Sequence, residues 1–527
     1  MSREDGLARL REGPPFDTLV VGGGISGAGV ALECARAGVR TALVEARDFA
    51  SGTSSRSSKL VHGGLRYLAQ GDFRLTRESV RERTELLQAA PGLVRPLGFL
   101  LPVRAGDKYG RWVLGLGLAA YDVFAGARTR RWHDTASLLE RAPILSPDGL
   151  KGGWSYLDAE TDDARLVLRV LAEAQRYGAL TLNYLVAETL LRGPNGVEGV
   201  TLRDRVGGEA FEVKARCVVN AAGVWADRLR GQMGAKPKLR PLRGSHLLFE
   251  AWRLPLAQAI AFFHPDDRRP IFAVPWEGST LVGTTDIDHH DDLDREPGIA
   301  RTEFDYILRA AQTQFPTLGL SDADVVSTWS GVRSVISSGA DVDPSKETRD
   351  HLILDEDGLI TVTGGKLTTF RSSAVAALRR AAARVPELIT ARADAPLLAP
   401  PAAATVDALH DAPPELRARW IARYGDEATG VKSCAGPGEQ LTIRHTGTAW
   451  AELRWACRSE QVVHLDDLML RRTRLGLLLR RGAAELLPRV KAIAQKELGW
   501  SDTRWTMEVG AYRDLIARCY AVPDAPS

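Results

Sequence analysis

The sequence predicts an α/β protein with a parallel βαβ sheet, a second sheet-based unit inserted into it, and a mainly helical C-terminal region. FDTLVV runs into a glycine turn, a helix and a second strand, RTALVE, which is the order of a βαβ unit. Residues 238–330 are rich in strand patterns, and PIFAVPW and STLVGTTD form an apparent pair within them. From residue 414 onward the pattern is mostly helical.

Length and composition describe a globular chain of more than one unit. The 527 residues exceed what one core usually serves, and 44% hydrophobic with 26% charged residues is ordinary for a folded protein. A net charge of +3 gives no general argument for binding nucleic acid. Five scattered cysteines without a CxxC pair fit a reducing compartment and structural thiols. The N-terminus lacks the apolar core of a secretory signal, and no segment reaches the ~20 apolar residues of a spanning helix.

Helical periodicity recurs between the strand-rich parts. Residues 72–88 alternate charged and apolar side chains, and residues 162–179 form an amphipathic pattern that begins with two aspartates. Further helices are expected near residues 303–314 and 372–385. The segment 91–102 is expected to be an irregular connection because prolines bound it.

The first βα turn carries a GxGxxG motif at Gly22, Gly24 and Gly27. In such a motif the first glycine permits a tight turn, the second lets the backbone approach a pyrophosphate, and the third packs helix on strand. Glu45 closes the second strand, at the spacing where a carboxylate accepts from ribose hydroxyls. We therefore expect a bound dinucleotide, the alternative being a turn whose glycines serve packing only. The expected contacts are Gly22, Gly24, Ile25, Ser26, Gly27, Glu45 and Ala46.

FAD and NAD proteins share this unit, and two later segments favour FAD. CVVNAAGVWAD ends a strand in small residues, beside which a long cofactor can lie. TVTGGKLTTFR offers a second helix N-terminus, whose amides can stabilise the negative charge that a flavin gains on reduction. For the glycine pair alone, a plain turn is the alternative. From these regions and the preceding strands, the further expected cofactor contacts are Val186, Ala221, Gly223, Gly365, Lys366, Leu367 and Thr368.

The stretch TSSRSSKLVHGGLRYL at residues 53–68, with GGGISGAG, resembles the FAD-dependent glycerol-3-phosphate dehydrogenases. DDARLVL, NAAGVWAD, RGSHLLF, VGTTD, SGVR, TRD and GGKLTTFR then match in order, so the resemblance covers about residues 16–375. LMLRRTRLG at residues 468–476 matches more loosely. The resemblance implies a glutathione-reductase-type FAD-binding domain with an inserted antiparallel substrate-binding sheet and a helical C-terminal domain.

The implied division of the chain has four parts. They are a polar tail at 1–14, an FAD-dependent oxidoreductase region at 15–395 with its substrate unit at 238–330, a linker at 396–413 and the helical domain at 414–527. The implied reaction is oxidation of sn-glycerol 3-phosphate to dihydroxyacetone phosphate by hydride transfer to FAD, with electrons passed to a membrane quinone. A homodimer stays an open alternative to a monomer.

The resemblance also implies roles at matching positions. The loop that wraps FAD makes cofactor neighbours of Thr53, Ser54, Ser55, Ser57, Ser58, Lys59, His62, Gly63 and Gly64. The implied substrate-site residues are Arg66, Tyr67, His246, Thr285, Asp286, Arg333, Arg349 and Lys366.

The residue types suit this chemistry. A phosphate dianion needs fixed cations, and the guanidinium groups of Arg66, Arg333 and Arg349 match its oxygens. Oxidation of a secondary alcohol needs a proton acceptor, for which His246 has a near-neutral pKa, and Lys366 can stabilise a developing alkoxide. The alternatives are arginines in surface ion pairs and a histidine that caps a strand. The predicted catalytic residues are His246, Arg66, Arg333 and Lys366.

One departure from the family pattern follows Arg333. The family usually continues SGVR with proline, whereas this chain has SVISSG at residues 334–339, which loosens the backbone there. Substrate affinity or the range of phosphate esters is therefore expected to differ. The sequence leaves two roles open for Asp286, which are contact with the substrate and bracing of the site.

Quinone reduction requires contact with a bilayer, so we expect the protein to attach peripherally to the cytoplasmic membrane. RWVLGLGLAAYDVF, with basic flanks at Arg111, Arg128, Arg130 and Arg131, is one candidate segment. LMLRRTRLGLLLRR is the other. For each segment, a buried core helix is the alternative.

Three other functions compete with the dehydrogenase. A glycerol-3-phosphate oxidase shares the site but reduces oxygen. An enzyme of the same fold that acts on amines or amino acids is disfavoured by the arginine motifs. A non-catalytic FAD-binding protein would not need a complete polar substrate site. No metal is expected.

Overall fold

The structure is a computed structural model that describes residues 3–65, 72–107, 109–337, 351–390 and 395–524. Its strands are, in chain order, β1 (Phe16–Val21), β2 (Thr41–Val44), β3 (Leu60–Val61), β4 (Val94–Arg104), β5 (Arg131–His133), β6 (Leu150–Thr161), β7 (Leu180–Leu182), β8 (Leu185–Gly193), β9 (Gly196–Asp204), β10 (Ala210–Asn220), β11 (Leu239–Glu250), β12 (Ala259–Phe263), β13 (Pro270–Trp276), β14 (Ser279–Gly283), β15 (Ile287–Asp288), β16 (Val325–Ile336), β17 (His351–Glu356) and β18 (Leu359–Gly364).

The α-helices of the same ranges alternate with these strands at first and dominate towards the C-terminus. They are α1 (Arg3–Glu12), α2 (Ile25–Arg36), α3 (Phe73–Ala89), α4 (Arg111–Ala125), α5 (Thr135–Arg141), α6 (Asp163–Arg176), α7 (Ala226–Gln232), α8 (Arg301–Gln314), α9 (Phe370–Ala381), α10 (Ala403–Ala408), α11 (Pro414–Tyr424), α12 (Ala428–Cys434), α13 (Trp450–Ser459), α14 (Leu475–Leu478), α15 (Arg480–Ala483), α16 (Leu487–Leu498) and α17 (Asp502–Cys519).

The first sheet has the order β17-β18-β10-β1-β2-β7, and the strands from β18 to β7 are parallel. Its central strands are continuous apolar runs because both faces are covered. Helices α2, α6 and α9 pack on one face, and the antiparallel strands β8, β9 and the start of β10 pack on the other. Helix α2 packs against α6 and α9. The predicted βαβ unit is confirmed. Since the parallel strands share a direction, the turns after β1, β2, β10 and β18 all lie at one edge of the sheet.

The second sheet is mainly antiparallel, with the order β15-β11-β14-β13-β12-β4-β6-β3, and β16 pairs with β11. The predicted pairing of PIFAVPW with STLVGTTD is confirmed as β13 and β14. The irregular segment predicted at 91–102 is wrong, because β4 occupies it and pairs along its length with β6. Strand β12 pairs with β4 only at Phe99 and Leu100. Among the described residues, Pro96 and Pro102 therefore lie where this side of β4 has no strand partner, a position in which proline is tolerated.

The helical C-terminal region shares a hydrophobic core with the second sheet. Leu453, Leu468 and Val490 pack in one cluster with Phe99 and Trp329. The segment predicted as a linker is not a free connection, since it forms α10 and buries leucines at its start. The residues expected to be a polar tail form α1. An ion pair between Arg3 and Asp204, 2.8 Å apart, anchors this helix. The two residues are far apart in the sequence, so local patterns could not predict the contact.

The prediction that the second candidate membrane segment, LMLRRTRLGLLLRR, lies at the surface is wrong. Leu468, Met469 and Leu470 are at most 2% exposed, and Arg471 and Arg472 both bind Asp48 in the interior. An arginine cluster looks solvated in a sequence when its acidic partners are hundreds of residues away. Across the parts of the chain that the structure describes, no helix combines the length and apolar character needed to cross a bilayer.

Candidate active site

A single cavity of about 1630 Å³ opens at the carboxyl edge of the first sheet and extends over the second sheet. From the first sheet it is lined by the turns after β1, β2, β10 and β18. From the second sheet it is lined by β11, β16 and the segment after β14. The predicted cofactor residues that line it are Gly22, Gly24, Ile25, Ser26, Glu45, Ala46, Thr53, Ser54, Ser57, Ser58, His62, Gly64, Val186, Ala221, Gly223, Gly365, Lys366, Leu367 and Thr368.

The glycine turn leaves no space for side chains. Gly22 has φ +117°, and a Cβ there would lie 2.5 Å from the carbonyl oxygen of Ala221. A Cβ on Gly27 would lie 1.9 Å from the carbonyl oxygen of Gly22, so this glycine joins α2 to β1 and does not line the cavity. The backbone can therefore approach a ligand closely at Gly24, as a pyrophosphate site requires.

Glu45 faces the same turn. Its Oε2 accepts a hydrogen bond from the amide of Gly23 at 2.6 Å, and its Oε1 accepts one from the amide of Arg47 at 2.8 Å. Burial raises the pKa of this carboxyl, and the two amides oppose that rise. The carboxylate is thus fixed beside the helix N-terminus, where ribose hydroxyls of a dinucleotide can donate to it.

The segment 53–64 joins the two sheets. Thr53 Oγ1 donates to the carbonyl of Val332 at 2.5 Å, and Ser54 Oγ accepts from the amide of Ile25 at 3.0 Å. Ser55, Lys59 and Gly63, which were predicted to contact the cofactor, do not line the cavity. Lys59 points instead into a buried ion pair, and the amide of Gly63 donates to Asp158. The segment begins with a 3-10 turn at Thr53–Ser55, and Lys59 has φ +60°, so its side chains leave the backbone in several directions.

The turn after β18 carries a second set of cavity residues. Gly364 and Gly365 both have φ +73°, a conformation that favours glycine, and they precede α9. Thr368 Oγ1 donates to the carbonyl of His62 at 3.3 Å, which ties this turn to the 53–64 segment. Lys366 Nζ lies 3.4 Å from Ser79 Oγ. The predicted second glycine turn therefore lies at the same cavity as the first.

Paired glycines lie in the cavity wall where β11 meets β16. Strand β11 pairs with β16 so that His246 lies opposite Trp329, Gly244 opposite Gly331, and position 242 opposite Arg333. These positions share one face of the sheet. A Cβ on Gly244 would lie 2.7 Å from Arg333 Nη2, so the guanidinium group occupies the space that a side chain would take there. His246, Gly244, Gly331 and Arg333 all line the cavity.

His246 is buried in surroundings that favour its neutral form. Its Nε2 lies 2.8 Å from Ser58 Oγ, and its ring stacks on Trp329 with 5.2 Å between centroids. Burial, followed by the charges of Lys59 and Arg333, lowers the pKa of His246 well below its usual range. Among the described residues its Nδ1 has no hydrogen-bond partner. His246 lines the cavity, and this nitrogen is an acceptor that no described residue uses.

Arg333 is held in place by Thr285 and Asp286. Its Nη2 donates to the carbonyl of Thr285 and to Asp286 Oδ1, both at 3.1 Å. Thr285 Oγ1 donates to buried Glu303 at 2.6 Å, which fixes the segment after β14. Thr285, Asp286 and Arg333 thus form one unit at the cavity wall. Asp286 braces the arginine.

Comparison with known proteins places this architecture in a family. Residues 17–392 match the family described as FAD dependent oxidoreductase, and residues 379–505 match the C-terminal domain of alpha-glycerophosphate oxidase. The chain belongs to the FAD-dependent oxidoreductase family. The aerobic glycerol-3-phosphate dehydrogenase of Staphylococcus epidermidis is 39% identical over 380 residues, which are 71% of this chain and 68% of that protein.

Two solved structures extend the likeness to the fold. The glycerol-3-phosphate dehydrogenase from Bacillus halodurans complexed with FAD is 30% identical, with a TM-score of 0.79 and 99% of each chain covered. The L-alpha-glycerophosphate oxidase of Mycoplasma pneumoniae with FAD bound is 16% identical over 73% of this chain and 98% of that chain, with a TM-score of 0.57, and shows the fold alone.

The cavity fits FAD, the cofactor of this oxidoreductase family. The glycine turn and Glu45 supply a dinucleotide site at one end, and the turn at Gly365 lies at the other side of the same cavity. Trp225 also lines the cavity, and its buried Nε1 is a donor without a partner among the described residues.

Several cavity residues were not found from the sequence. Arg269 Nη1 donates to the carbonyl of Asp286 at 3.0 Å, and Asp158 lies below the 53–64 segment. Arg269 directly precedes β13 in HPDDRRPIF, and a basic pair before a strand is the only signal it gives. Of the predicted site residues, Arg66, Tyr67 and Arg349 lie outside the described residues.

Proposed function

We propose that this protein oxidises sn-glycerol 3-phosphate to dihydroxyacetone phosphate with FAD and delivers the electrons to a membrane quinone. The observation that carries the proposal is the face of β11 and β16 on which His246, whose pKa is lowered, and Arg333, which Asp286 braces, lie beside the paired glycines. These residues line the same cavity as Gly365 and Lys366. Relatives named glycerol-3-phosphate dehydrogenase give the substrate.

The residues divide the chemistry between them. Arg333 offers a guanidinium group to the phosphate, and Asp286 fixes its direction. When His246 Nε2 carries the ring proton, it donates a hydrogen bond to Ser58 Oγ. The unpaired Nδ1 can then accept the proton of the C2 hydroxyl. Lys366 stabilises the alkoxide that forms. Bound FAD supplies the acceptor for the hydride that leaves C2, and the C2–O bond becomes a carbonyl.

An exposed apolar helix supports the membrane part of the proposal. On α4, Trp112 is 80% exposed, Leu116 is 75% exposed and Val123 is 77% exposed. Exposed Arg111, Arg128 and Arg131 lie at its two ends. Apolar side chains with basic flanks suit the interface of an anionic bilayer.

The same helix lines the mouth of the cavity through Val113, Leu116 and Ala120. A lipid-soluble quinone can therefore approach the flavin from the membrane without crossing water. An oxidase that uses oxygen has no need of such a surface. The match of residues 379–505 to an oxidase C-terminal domain keeps that function as the alternative, and α4 favours the dehydrogenase. We propose peripheral attachment to the cytoplasmic face.

Anaerobic reduction tests the reaction directly. Purified protein should be yellow, and denaturation should release FAD. Addition of glycerol 3-phosphate without oxygen should bleach the flavin absorbance rapidly, while glycerol should have little effect because it lacks the phosphate that Arg333 binds. A flavin that stays oxidised with glycerol 3-phosphate refutes the reaction. Rapid peroxide formation in air without quinone reduction assigns the protein to the oxidases.

A further inference from the structure

A fully buried lysine lies directly behind the predicted base. Lys59 Nζ donates to the carbonyl of Ser55 at 2.7 Å and to both carboxylate oxygens of Asp163, at 2.9 and 3.0 Å. The same ammonium lies 5.0 Å from the ring centroid of Trp329 and 5.2 Å from that of Trp276. Burial lowers the pKa of Lys59 to about 8 and Asp163 opposes this, so the ammonium is charged at neutral pH.

Asp163 is the centre of this buried cluster. It begins α6 and accepts hydrogen bonds from the amide and the hydroxyl of Ser57, at 3.0 and 2.7 Å. Arg474 of the helical C-terminal region binds both Asp163 and the adjacent Asp162. The cluster therefore fixes the loop at residues 57–59 from two domains, and both of its carboxylates are paired with cations.

The cluster reaches His246 along two routes. Ser58, between Ser57 and Lys59 in the chain, holds Nε2 of the imidazole at 2.8 Å. Trp329 stacks on the imidazole and also contacts the Lys59 ammonium. The position of Lys59 therefore decides both where Ser58 presents its hydroxyl and which charge the imidazole feels.

Within the described ranges, two cations and their acidic partners account for the charges near His246. Lys59 faces it from the 57–59 loop, with Asp163 behind, and Arg333 faces it from β16, with its partner Asp286. Strand β14 places Gly283 opposite His246. Both neighbouring cations oppose protonation of the imidazole, so removing either one makes protonation easier.

We propose that Lys59 is a positioning residue of the reaction, which holds His246 in its neutral, proton-accepting form and orients it through Ser58 and Trp329. The inference rests on the proposed function, because it assigns His246 the role of base. Lys59 acts through its neighbours, since it is not among the residues that line the cavity.

Two variants at the same position test this. In Lys59→Met a neighbouring positive charge is lost, so the acid limb of the pH profile of kcat/KM should move up by about one pH unit. In Lys59→Arg the charge is kept, so the limb should stay in place. Glu439→Gln, which breaks a buried ion pair within the helical region, is the matched control and should leave the limb in place.

A second readout does not depend on turnover. Histidine-labelled holoenzyme, with His246→Asn to identify the resonance, gives the pKa of His246 by NMR titration. The pKa of His246 should rise in Lys59→Met and keep its wild-type value in Lys59→Arg. If Lys59→Met does not fold, Lys59→Gln takes its place, because it also removes the charge. A pKa of His246 that is unmoved when the charge of Lys59 is removed overturns the proposal. If glycerol 3-phosphate does not reduce the wild-type protein, the proposed reaction is refuted instead. The NMR titration still shows whether Lys59 controls the pKa of His246.

Discussion

Arg333 and His246 differ in how fully their hydrogen-bonding capacity is used. Arg333 is already braced by Asp286, so little reorganisation is needed when an anion binds. His246 keeps one buried nitrogen unpaired, which is costly unless a ligand pairs with it. At the scale of single residues, the first is built to bind charge and the second to accept a proton.

Replacing Arg333 by alanine should raise the apparent KM for glycerol 3-phosphate about thirtyfold, because a lost charged hydrogen bond costs about 2 kcal/mol. FAD content should stay at the wild-type level. Arg309→Ala is the control, since that side chain is exposed and pairs with Asp266 at the surface. Steady-state rates with a soluble dye give KM. An unchanged KM with FAD retained removes Arg333 from the site.

The lowered pKa of His246 predicts how activity depends on pH. The imidazole stays neutral until the pH falls well below 6.5, so the acid limb of kcat/KM for the wild-type enzyme should lie below that value. His246→Asn should remove the limb and slow flavin reduction by about 10²-fold or more. Stopped-flow reduction across pH 4–9 measures both. A limb at or above pH 6.5 would mean that another group is titrating.

Among the elements, α4 shows what a pattern can and cannot predict. Its apolar run identified a helix, but the same pattern suits a buried helix and an exposed one. Only the structure shows that Trp112 and Leu116 face solvent. The segment at 468–481 had the same ambiguity, and there the arginines are buried against Asp48.

Local signals explain the parts of the site that the sequence could predict. The glycine turn, Glu45 and the turn at Gly365 follow buried strands, and parallel strands bring such turns to one edge. Arg269 could not be found, because its role depends on a contact with Asp286 across β13 and β14. The true position of Lys59 could not be predicted either, because its ion-pair partner, Asp163, is about a hundred residues away.

Helix α4 should control membrane contact without affecting the chemistry. Leu116→Glu places a charge on the exposed apolar face, which an anionic bilayer repels. Binding to anionic liposomes and the rate with a quinone analogue should both fall at least fivefold, while the rate with a soluble dye stays unchanged. Leu441→Glu, at a leucine that is 67% exposed elsewhere, is the matched control. High salt should release the wild-type protein. Liposome binding that survives Leu116→Glu rejects α4 as the docking surface.

On the scale of the whole molecule, buried ion pairs join the helical C-terminal region to both sheets. Asp48 after β2 binds Arg472, and Arg165 of α6 pairs with Glu460. Glu277, in the turn between β13 and β14, lies 2.8 Å from Arg419 of α11. Breaking one partner of such a pair leaves a buried charge without compensation, so these contacts fix how the domains meet.

Glu277 predicts a loss of stability in acid. Burial opposes its ionisation, but Arg419 and Arg423 outweigh burial and lower its pKa from 4.5 to about 2. A carboxyl whose pKa is lowered by folding stabilises the protein above its unfolded pKa, and this contribution disappears as the pH falls from about 4.5 towards 2. The difference in thermal midpoint between wild type and Glu277→Gln should therefore be largest near neutral pH and shrink steadily between pH 5 and pH 3. Glu485→Gln removes an exposed pair with Arg444 and should change the midpoint little at any pH. Calorimetry of the three proteins over that range measures the effect, and a wild-type advantage that stays constant down to pH 3 would show that Glu277 does not stabilise the domain interface through its charge.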